Sequence, residues 1–312
     1  MVRRSAIAPR ALAVAGGLVL DALLGEPPSF MHPVGRFGAA MARLERRRWA
    51  DDRRAGARFA VTGIGAAAVA GVVASRRLGA LTALVSATWV ASAGRCLLGS
   101  AAAVADALDA GDLDAARARL PALVGRSTDG LDDKEIARAV VESVAENLSD
   151  AVVASALWGV VGGAAGVLAH RAANTLDAMV GHRSAHYERF GWACARADDV
   201  LGWPAARATA ALVAAARPSR APEVWRAVRR DAPQHPSPNA GVAEAAFAAA
   251  LGLRLGGENR YGERVEVRPA LGSGRTPEPA DVRAAISLGA RVIGLLVALL
   301  GALGALGIGR ST

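Results

Sequence analysis

Cysteine, lysine and aromatic side chains are all scarce in this chain of 312 residues. Its two cysteines, Cys96 and Cys194, form no CxxC pair and have no Cys/His spacing suited to zinc, which argues against a disulfide framework and a zinc site. Aromatic residues make up 4% and interleave with no basic stripe, so nucleic acid is not an expected partner. The sequence contains no GxxxxGKS or GxxxxGKT, so any nucleotide site is not a P-loop.

Apolar residues are abundant instead. They form 53% of the chain, and the mean hydropathy of +0.27 is too high for an ordinary soluble domain. The composition predicts an all-α, polytopic integral membrane protein embedded in a lipid bilayer. The net charge of +9 rests on arginine, because Lys134 is the only lysine among 37 basic residues. These arginines flank apolar segments, as expected beside anionic lipid.

About four to six apolar segments are predicted within a single integral membrane domain, residues 1–312. The segment at 200–216 is a poor span because it contains Pro204 and Arg207. A larger polar loop covers 217–288, and alternating valines predict a small β-hairpin near 261–268. The apolar segments lie near 11–24, 59–75, 78–98, 151–169, 200–216 and 289–308.

The distribution of arginine predicts how the chain is oriented in the membrane. Residues 39–58 carry seven arginines, which places this segment in the cytoplasm by the positive-inside rule. The protein is therefore expected to cross the cell inner (plasma) membrane several times. The segment 151–169 contains four glycines, which suit either close helix packing or a broken, re-entrant helix. A re-entrant helix would keep the polar blocks on both of its sides at the cytoplasmic surface, and this arrangement is favoured.

Two polar rows flank that segment. On an α-helix, Glu142, Glu146 and Asp150 lie at i, i+4 and i+8, so they share one face beside Asn147. Stacked acids entering an apolar segment indicate a counter-cation, a metal or a shared proton. The alternative is a solvated helix face that ends where the membrane begins.

The second row follows the apolar segment. His170, Asn174 and Asp177 lie at i, i+4 and i+7 and also share a face. Together the two rows would frame a site at a membrane surface. Near the amino end, the loop GEPPSFMHPVGRF holds His32 and Arg36, although a histidine in a proline-rich loop is more often structural.

Five motifs point to a family. They are GEPPSFMHPVGR, GRSTDGLDDKEIARAVVESVAENLSD, NTLDAMVGHRSAHYERFGWACARADD, HPSPNAG and GGENRYG, in that order. From about Leu20 to Ile308 the chain resembles the adenosylcobinamide-phosphate synthases of cobalamin biosynthesis. The resemblance implies an ATP- and magnesium-dependent ligase that joins aminopropanol, or its O-phosphate, to the last free carboxylate of adenosylcobyric acid.

The chain departs from the family pattern at three places. His170 stands where an aromatic residue is usual, which argues against its being a base or a ligand. Ser127 stands where an aspartate usually follows Arg126. Gly202 and Trp203 replace an asparagine-containing pattern, which weakens the inference for the region after Asp198 and Asp199.

Roles are assigned on these positions by chemical type. Magnesium prefers hard oxygen ligands, and planar guanidinium groups of Arg36 and Arg183 suit phosphate. Glu142 would accept the amine proton, and the HPSPNAG loop could close over substrate. The catalytic candidates are Glu142, Glu146 and Asn147, and the metal candidates are Glu146, Asp150 and Asp177. The substrate-binding candidates are His32, Arg36, Asn174, Arg183, Tyr187, Asp198, Asp199, His235, Ser237, Asn239 and Glu244.

A rival class is a membrane transporter or sensor that binds an anionic ligand without chemistry. It explains acids near an apolar segment equally well. It explains less well the long polar segment between the last two apolar runs. A structural membrane subunit is a third alternative, which the density of polar residues disfavours.

Overall fold

The fold is helical, with one β-hairpin. The computed structural model describes residues 6–28, 31–182, 184–261 and 264–308. The helices are α1 Ile7–Leu24, α2 Pro33–Arg48, α3 Arg53–Leu78, α4 Ala80–Ala91, α5 Gly94–Asp109, α6 Leu113–Arg119, α7 Asp133–Asn147, α8 Ala154–Val180, α9 Trp192–Ala216, α10 Ala221–Arg230, α11 Ala240–Leu251 and α12 Pro279–Ile308. The strands are β1 Leu255–Tyr261 and β2 Arg264–Leu271.

Five helical stretches among the described residues are long and apolar enough to cross a membrane. This confirms the prediction of a polytopic helical membrane protein. The predicted segment at 200–216 lies in α9, which is not one of the five. The five stretches are Ile7–Leu24, Arg53–Leu78, Ala80–Asp109, Asp133–Val180 and Pro279–Gly307.

The chain forms two compact units whose segments alternate along the sequence. The first unit contains the described residues up to Gly94, then Asp150–Ala205, then those from Leu296 onward. The second unit contains Arg95–Ser149 and Ala206–Leu295. Each unit holds one group of the predicted site residues, and each is described by itself.

In the first unit, α8 packs against α1, α2, α3 and α4. Glycine allows α3 and α8 to approach each other closely. A Cβ atom on Gly71 of α3 would lie 2.5 Å from the Cα of Ala165, a distance that no side chain could occupy. The tight packing agrees with the preference of membrane helices for small residues at their contacts.

Helix α8 is interrupted at Gly163, whose φ of 62° and ψ of −156° are not helical. A Cβ atom on Gly166 would lie 2.4 Å from the carbonyl oxygen of Trp158. These residues are eight positions apart and would be separated by about 12 Å along a straight helix. The chain therefore turns back at Gly163, and the segment is a broken helix whose two arms form a hairpin.

Arg10 of α1 closes the tip of this helical hairpin. Its Nη1 donates a hydrogen bond to the carbonyl of Val161 at 2.8 Å and a longer one to that of Val160 at 3.4 Å. The last carbonyls of a helix have no intrahelical partner, and they attract cations. Arg10 thus satisfies the carbonyl end of the hairpin's first arm.

Before the hairpin, the row of acids is broken by a change in helix type. Helix α7 begins with a capping box between Asp132 and Glu135 and ends at Asn147, and Leu148–Val153 continues as π-helix. A π-helix bonds i to i+5, so the four-residue repeat does not continue through it. Asp150 is accordingly not a third member of a regular α-helical row with Glu142 and Glu146.

The second unit is built around α11, which is buried along nearly its whole length and packs against α7 and α10. The strands β1 and β2 form an antiparallel hairpin, which confirms the predicted one and extends it in both directions. Arg138 of α7 fixes β1 to this helix. Its guanidinium donates to the carbonyls of Gly256 and Glu258, the latter at 2.7 Å.

Candidate functional site

The helical hairpin that turns at Gly163 assembles a polar cluster in the first unit. Its two arms place Asn174 beside Asp150, and the Nδ2 of Asn174 lies 3.3 Å from an oxygen of each of Asp150 and Asp198. Arg171 donates to Asn174 Oδ1 at 3.3 Å. We call Asp150, Arg171, Asn174, Asp177 and Asp198 the Asn174 cluster. Asp150 and Asn174 were predicted from opposite sides of the apolar segment, and the turn at Gly163 brings them together.

The carboxylates of this cluster repel one another. Burial, with the smaller contribution of the Asp177 charge, raises the pKa of Asp198 from 3.8 to about 7, although the hydrogen bond from Asn174 acts in the opposite direction. Asp199, the next residue, has its pKa raised by burial and lowered by Arg196, which lies 3.4 Å away. A ligand with positive charge would relieve the repulsion between Asp177 and Asp198.

Stability should therefore depend on pH through Asp198. The folded state binds this proton more tightly than the unfolded state, so the free energy of unfolding should fall as pH rises from about 4 to about 7. Asp198→Asn should flatten that fall and unfold at a higher temperature than the wild type at pH 8. Thermal unfolding in detergent from pH 4 to 8 measures this. Exposed Glu188→Gln is the control, and an Asp198→Asn curve parallel to the wild type would contradict the assignment.

The proline-rich loop approaches the same cluster. Glu26 interacts electrostatically with Arg171. His32 caps α2, accepting from the Val34 N–H through Nδ1, and its Nε2 lies 3.9 Å from Glu26. Arg36 is exposed on α2. His32 thus has a structural role in addition to the predicted substrate role, which stays a prediction.

Tyr187 has a defined partner in the first unit. Its hydroxyl donates to Glu45 Oε1 at 2.6 Å, and this bond raises the pKa of Tyr187 to about 12. The phenol is therefore protonated at neutral pH and can act as a donor but not as a base. Arg183, predicted to bind phosphate, lies outside the described residues.

The second unit contains a cavity of about 110 Å³, which we call the Glu142 cavity. Glu142 is buried at its wall. One carboxylate oxygen accepts from Arg126 Nη1 at 2.9 Å, and the other accepts from the Gly256 N–H at 3.0 Å. Arg126 Nη1 also donates to Asn259 Oδ1. The polar residues that line the cavity are Arg126, Glu142, Ser143, Glu146, Glu244, Asn259 and Arg268.

Glu244 of α11 lies in this wall, 6% exposed. Burial raises the pKa of Glu244 well above its ordinary value, and the charges of Glu142 and Glu146 raise it further. Glu142, Glu146 and Glu244 were predicted as site residues from separate motifs, and the structure places all three around one cavity. Glu146 is the exposed member.

His235 lies beside both Glu244 and Arg268. Burial lowers the pKa of His235, so the imidazole is neutral. Arg268 Nη1 lies 2.8 Å from Nε2, and since arginine only donates, Nε2 is the acceptor and Nδ1–H donates to the Ser237 carbonyl at 3.1 Å. His235 Nε2 is 3.9 Å from a Glu244 oxygen. The imidazole therefore supports the side of the cavity formed by Arg268.

The remaining candidates of the second unit have local roles. Ser237 Oγ accepts from the N–H groups of Asn239 and Ala240 and so supports the start of α11. Asn239 Oδ1 accepts from Arg207 at 3.1 Å. Asn147 is exposed and donates to the carbonyl and hydroxyl of Ser143. Their catalytic or binding roles stay predictions.

The donor set permits a magnesium ion held jointly with substrate. Among the residues that the structure describes, no three His, Cys, Asp or Glu side chains form a ready-made metal site. Magnesium usually takes only one or two carboxylates and completes its shell with water and phosphate oxygens. Asp150 and Asp177 in the first unit, and Glu146 in the second, provide such oxygens. The metal assignments stay predictions.

Sequence reasoning missed four arginines of these two sites. Arg171 lies in the Asn174 cluster, Arg126 and Arg268 line the Glu142 cavity, and Arg138 holds β1. Helical spacing could have indicated Arg138, which is four residues before Glu142. No spacing relates Arg126 to Asn259, which is 133 positions away.

Comparison with known proteins decides the family. The model of the CobD/Cbib protein family matches residues 14–289. The chain belongs to the CobD/Cbib family. Its general role lies in cobalamin biosynthesis. The match includes the main-chain segments that carry the Asn174 cluster and the Glu142 cavity.

Three curated relatives of this CobD/Cbib chain carry the name cobalamin biosynthesis protein CobD. The Mycobacterium tuberculosis protein is 46% identical over 285 residues, covering 89% of this chain and 91% of the relative. The Stutzerimonas stutzeri protein is 42% identical over 301 residues, covering 93% and 97%. The Geobacter metallireducens protein is 40% identical over 281 residues, covering 83% and 86%. No solved structure matches.

Proposed function

We propose that this CobD/Cbib protein is an ATP- and magnesium-dependent amide ligase. It joins the amine of aminopropanol, or of its O-phosphate, to the remaining free propionate carboxylate of adenosylcobyric acid. It acts in the plasma membrane with its polar sites on the cytoplasmic side, where the arginine-rich end of α2 belongs by the positive-inside rule. The observation that carries the proposal is the Asn174 cluster, three aspartates and an arginine held around one amide beside apolar helices.

The chemistry explains why such a cluster is useful. A carboxylate is a poor acyl donor, and transfer of a phosphoryl group from ATP makes it an acyl phosphate, with the nucleotide diphosphate leaving. The amine then attacks the carbonyl carbon and phosphate leaves, so one proton must be removed from the ammonium and one more from the attacking nitrogen. Magnesium, when bound, offsets the phosphate charge. Asp150 and Asp177 would hold it, Asn174 would orient phosphate oxygens, and Arg171 would offset their charge.

In the second unit, two carboxyl groups would exchange protons with the amine. Glu142 and Glu244 are carboxyl groups in different environments at one cavity: Glu142 accepts from Arg126 and from the Gly256 N–H, and burial raises the pKa of Glu244 well above its ordinary value. Unequal carboxyl groups of this kind serve proton transfer at neutral pH. The Glu142 carboxylate, held by Arg126 and the Gly256 N–H, would accept the amine proton.

An assay of amide formation tests the proposed function directly. Purified protein in lipid nanodiscs should convert adenosylcobyric acid to a product heavier by the amine minus water only when ATP, Mg²⁺ and amine are all present. Mass spectrometry of the corrinoid and measurement of released phosphate check both halves of the reaction. Glu146→Gln and Asp177→Asn should each lower the rate about a hundredfold. Exposed Asp129→Asn is the matched control.

The alternative outcome is also measurable. Movement of corrinoid or amine across sealed vesicles, with no covalent product under any of these conditions, would favour a transporter. Undiminished amide formation by both acid variants would remove the metal assignments of Glu146 and Asp177.

A further inference from the structure

A second pocket of the second unit lies beside α10 and has a volume of about 280 Å³. It is bordered by α10, the end of α11 and the turn at 272–274, and we call it the Arg226 pocket. Its described lining residues all differ from those of the Glu142 cavity and the Asn174 cluster. The volume exceeds the roughly 150 Å³ of a cavity that accepts benzene and approaches the lower limit of about 300 Å³ for small-molecule sites. The pocket can therefore hold a polar headgroup but not a whole nucleotide.

The Arg226 pocket is basic. Among the residues that the structure describes, the charged side chains that line it are Arg220, Glu223, Arg226 and Arg230, which give it a net charge of +2. All three arginines are exposed, so a ligand from outside can reach their guanidinium groups. A planar guanidinium group binds phosphate oxygens in pairs. The lining therefore favours a ligand that carries phosphate groups.

Two of the three guanidinium groups are available to such a ligand. Among the described residues, Arg226 has one ion pair, to Glu223 Oε1, and its N–O distance of 4.0 Å is too long for a hydrogen bond. Arg220 has no ion pair within the described part of the chain. Arg230, by contrast, is held by Asp231 at 2.6 Å. A ligand would thus bind mainly to Arg220 and Arg226.

The packing of α10 leaves its arginines outside. The buried residues of this helix are Val224 and Ala227, and the helix packs against α11. Arg226 and Arg230 lie at i and i+4 on the exposed side, and like charges at this spacing destabilise a helix. An anion in the Arg226 pocket would offset this repulsion, because both arginines line it.

We propose that the Arg226 pocket binds the headgroup of diphosphatidylglycerol, a lipid whose two phosphodiester groups are joined by one glycerol. The two phosphates would lie on Arg220 and Arg226 and balance the net charge of +2, while the acyl chains stay outside the pocket. A lipid is favoured over a soluble phosphate because the protein has helical stretches long and apolar enough to cross a membrane, where anionic headgroups are concentrated. This inference does not depend on the proposed ligase reaction.

Native mass spectrometry of the full-length protein tests the site, because it resolves each bound lipid by its mass. Delipidated protein in detergent is titrated with diphosphatidylglycerol, phosphatidylglycerol or phosphatidylcholine, all with the same acyl chains. Diphosphatidylglycerol should bind on the order of tenfold more tightly than phosphatidylglycerol, since a second phosphate engages a second arginine. Phosphatidylcholine, which has no net charge, should bind more weakly than either.

Substitutions on α10 distinguish the pocket from a general attraction to basic surface. Arg226→Gln should weaken diphosphatidylglycerol binding on the order of tenfold, because it removes a charge-assisted hydrogen bond. Arg229→Gln is the matched control. Arg229 is exposed on the same helix and is not among the described residues that line the pocket, so this variant loses the same charge and should bind as the wild type does.

A second pair of variants tests the turn at 272–274. Ser273 is exposed and lines the pocket, so an acid at this position would repel the phosphates without disturbing the core. Ser273→Glu should weaken diphosphatidylglycerol binding on the order of tenfold. Ser273→Gln has nearly the same size and no charge, and it should bind within about twofold of the wild type.

Three results would overturn the site. The first is wild-type protein that binds diphosphatidylglycerol no more tightly than phosphatidylcholine. The second is equal weakening by Arg226→Gln and Arg229→Gln, or equal binding by Ser273→Glu and Ser273→Gln, which would exclude a defined pocket. The third is displacement of the bound lipid by an equal concentration of glycerol phosphate or ATP, which would show that the natural ligand is a soluble phosphate.

Discussion

Gly163→Ala is expected to destabilise the protein by about 2 kcal/mol, although it adds a single methyl group. The φ of 62° with ψ near −156° at Gly163 belongs to a backbone region that is essentially restricted to glycine. An added Cβ atom would meet the Arg10 guanidinium only at ordinary contact distances of 3.9 Å and above. The cost would therefore come from the backbone and not from a steric clash.

The neighbouring glycine provides the matched control. Gly162 has no atom within 4 Å of its Cβ position, and it lies in the helical part of the first arm. Gly162→Ala should stabilise by a few tenths of a kcal/mol up to about 1, as alanine does in a helix interior. Thermal unfolding in the same detergent compares the two. Equal melting temperatures for the two variants would show that the chain does not turn at Gly163.

Asp150→Asn is expected to lower amide formation by about a hundredfold or more, with little loss of stability. The substitution keeps the shape of the side chain but replaces an anionic oxygen with an amide, which is a weaker magnesium ligand. The side-chain oxygen that remains can still accept from Asn174 Nδ2, which is why the fold should tolerate the substitution. Rates are measured by product mass at several magnesium concentrations, since the concentration giving half the maximal rate should rise.

Exposed Asp51→Asn is the control for this substitution. An Asp150→Asn enzyme with the wild-type rate and the wild-type magnesium dependence would exclude Asp150 from the reaction. A lowered rate with unchanged magnesium dependence would keep Asp150 in the site but as a group that positions Asn174.

Much of the fold follows from residues that act locally. The four glycines of 151–169 predict either close helix packing or a broken helix, and the conformation of Gly163 shows that the helix is broken. Alternating valines predict the hairpin because the period of two is a local property of strands. The π-helix at Leu148–Val153 has no such signal, so helical spacing misplaces Asp150 by assuming that the α-helix continues.

The sites are less predictable than the fold, because they depend on contacts between distant segments. Glu142 and Glu244 could be named from their chemistry and their motifs, but their shared cavity depends on α11 packing against α7. The Gly256 N–H that binds Glu142 is a backbone group with no signature in the sequence. This N–H faces Glu142 because Arg138 donates to the carbonyls of Gly256 and Glu258 and so fixes the position of β1.

The bond between Arg10 and the hairpin tip also constrains the order of assembly. Arg10 is synthesised 150 residues before Val160. At roughly 5–20 residues per second, the ribosome needs about 8 to 30 seconds to go from Arg10 to Val160. During that interval the first helix must stay close to the emerging chain, since its arginine is what completes the returning segment. The segment around Arg10 thus finishes folding together with one that is synthesised about 150 residues later.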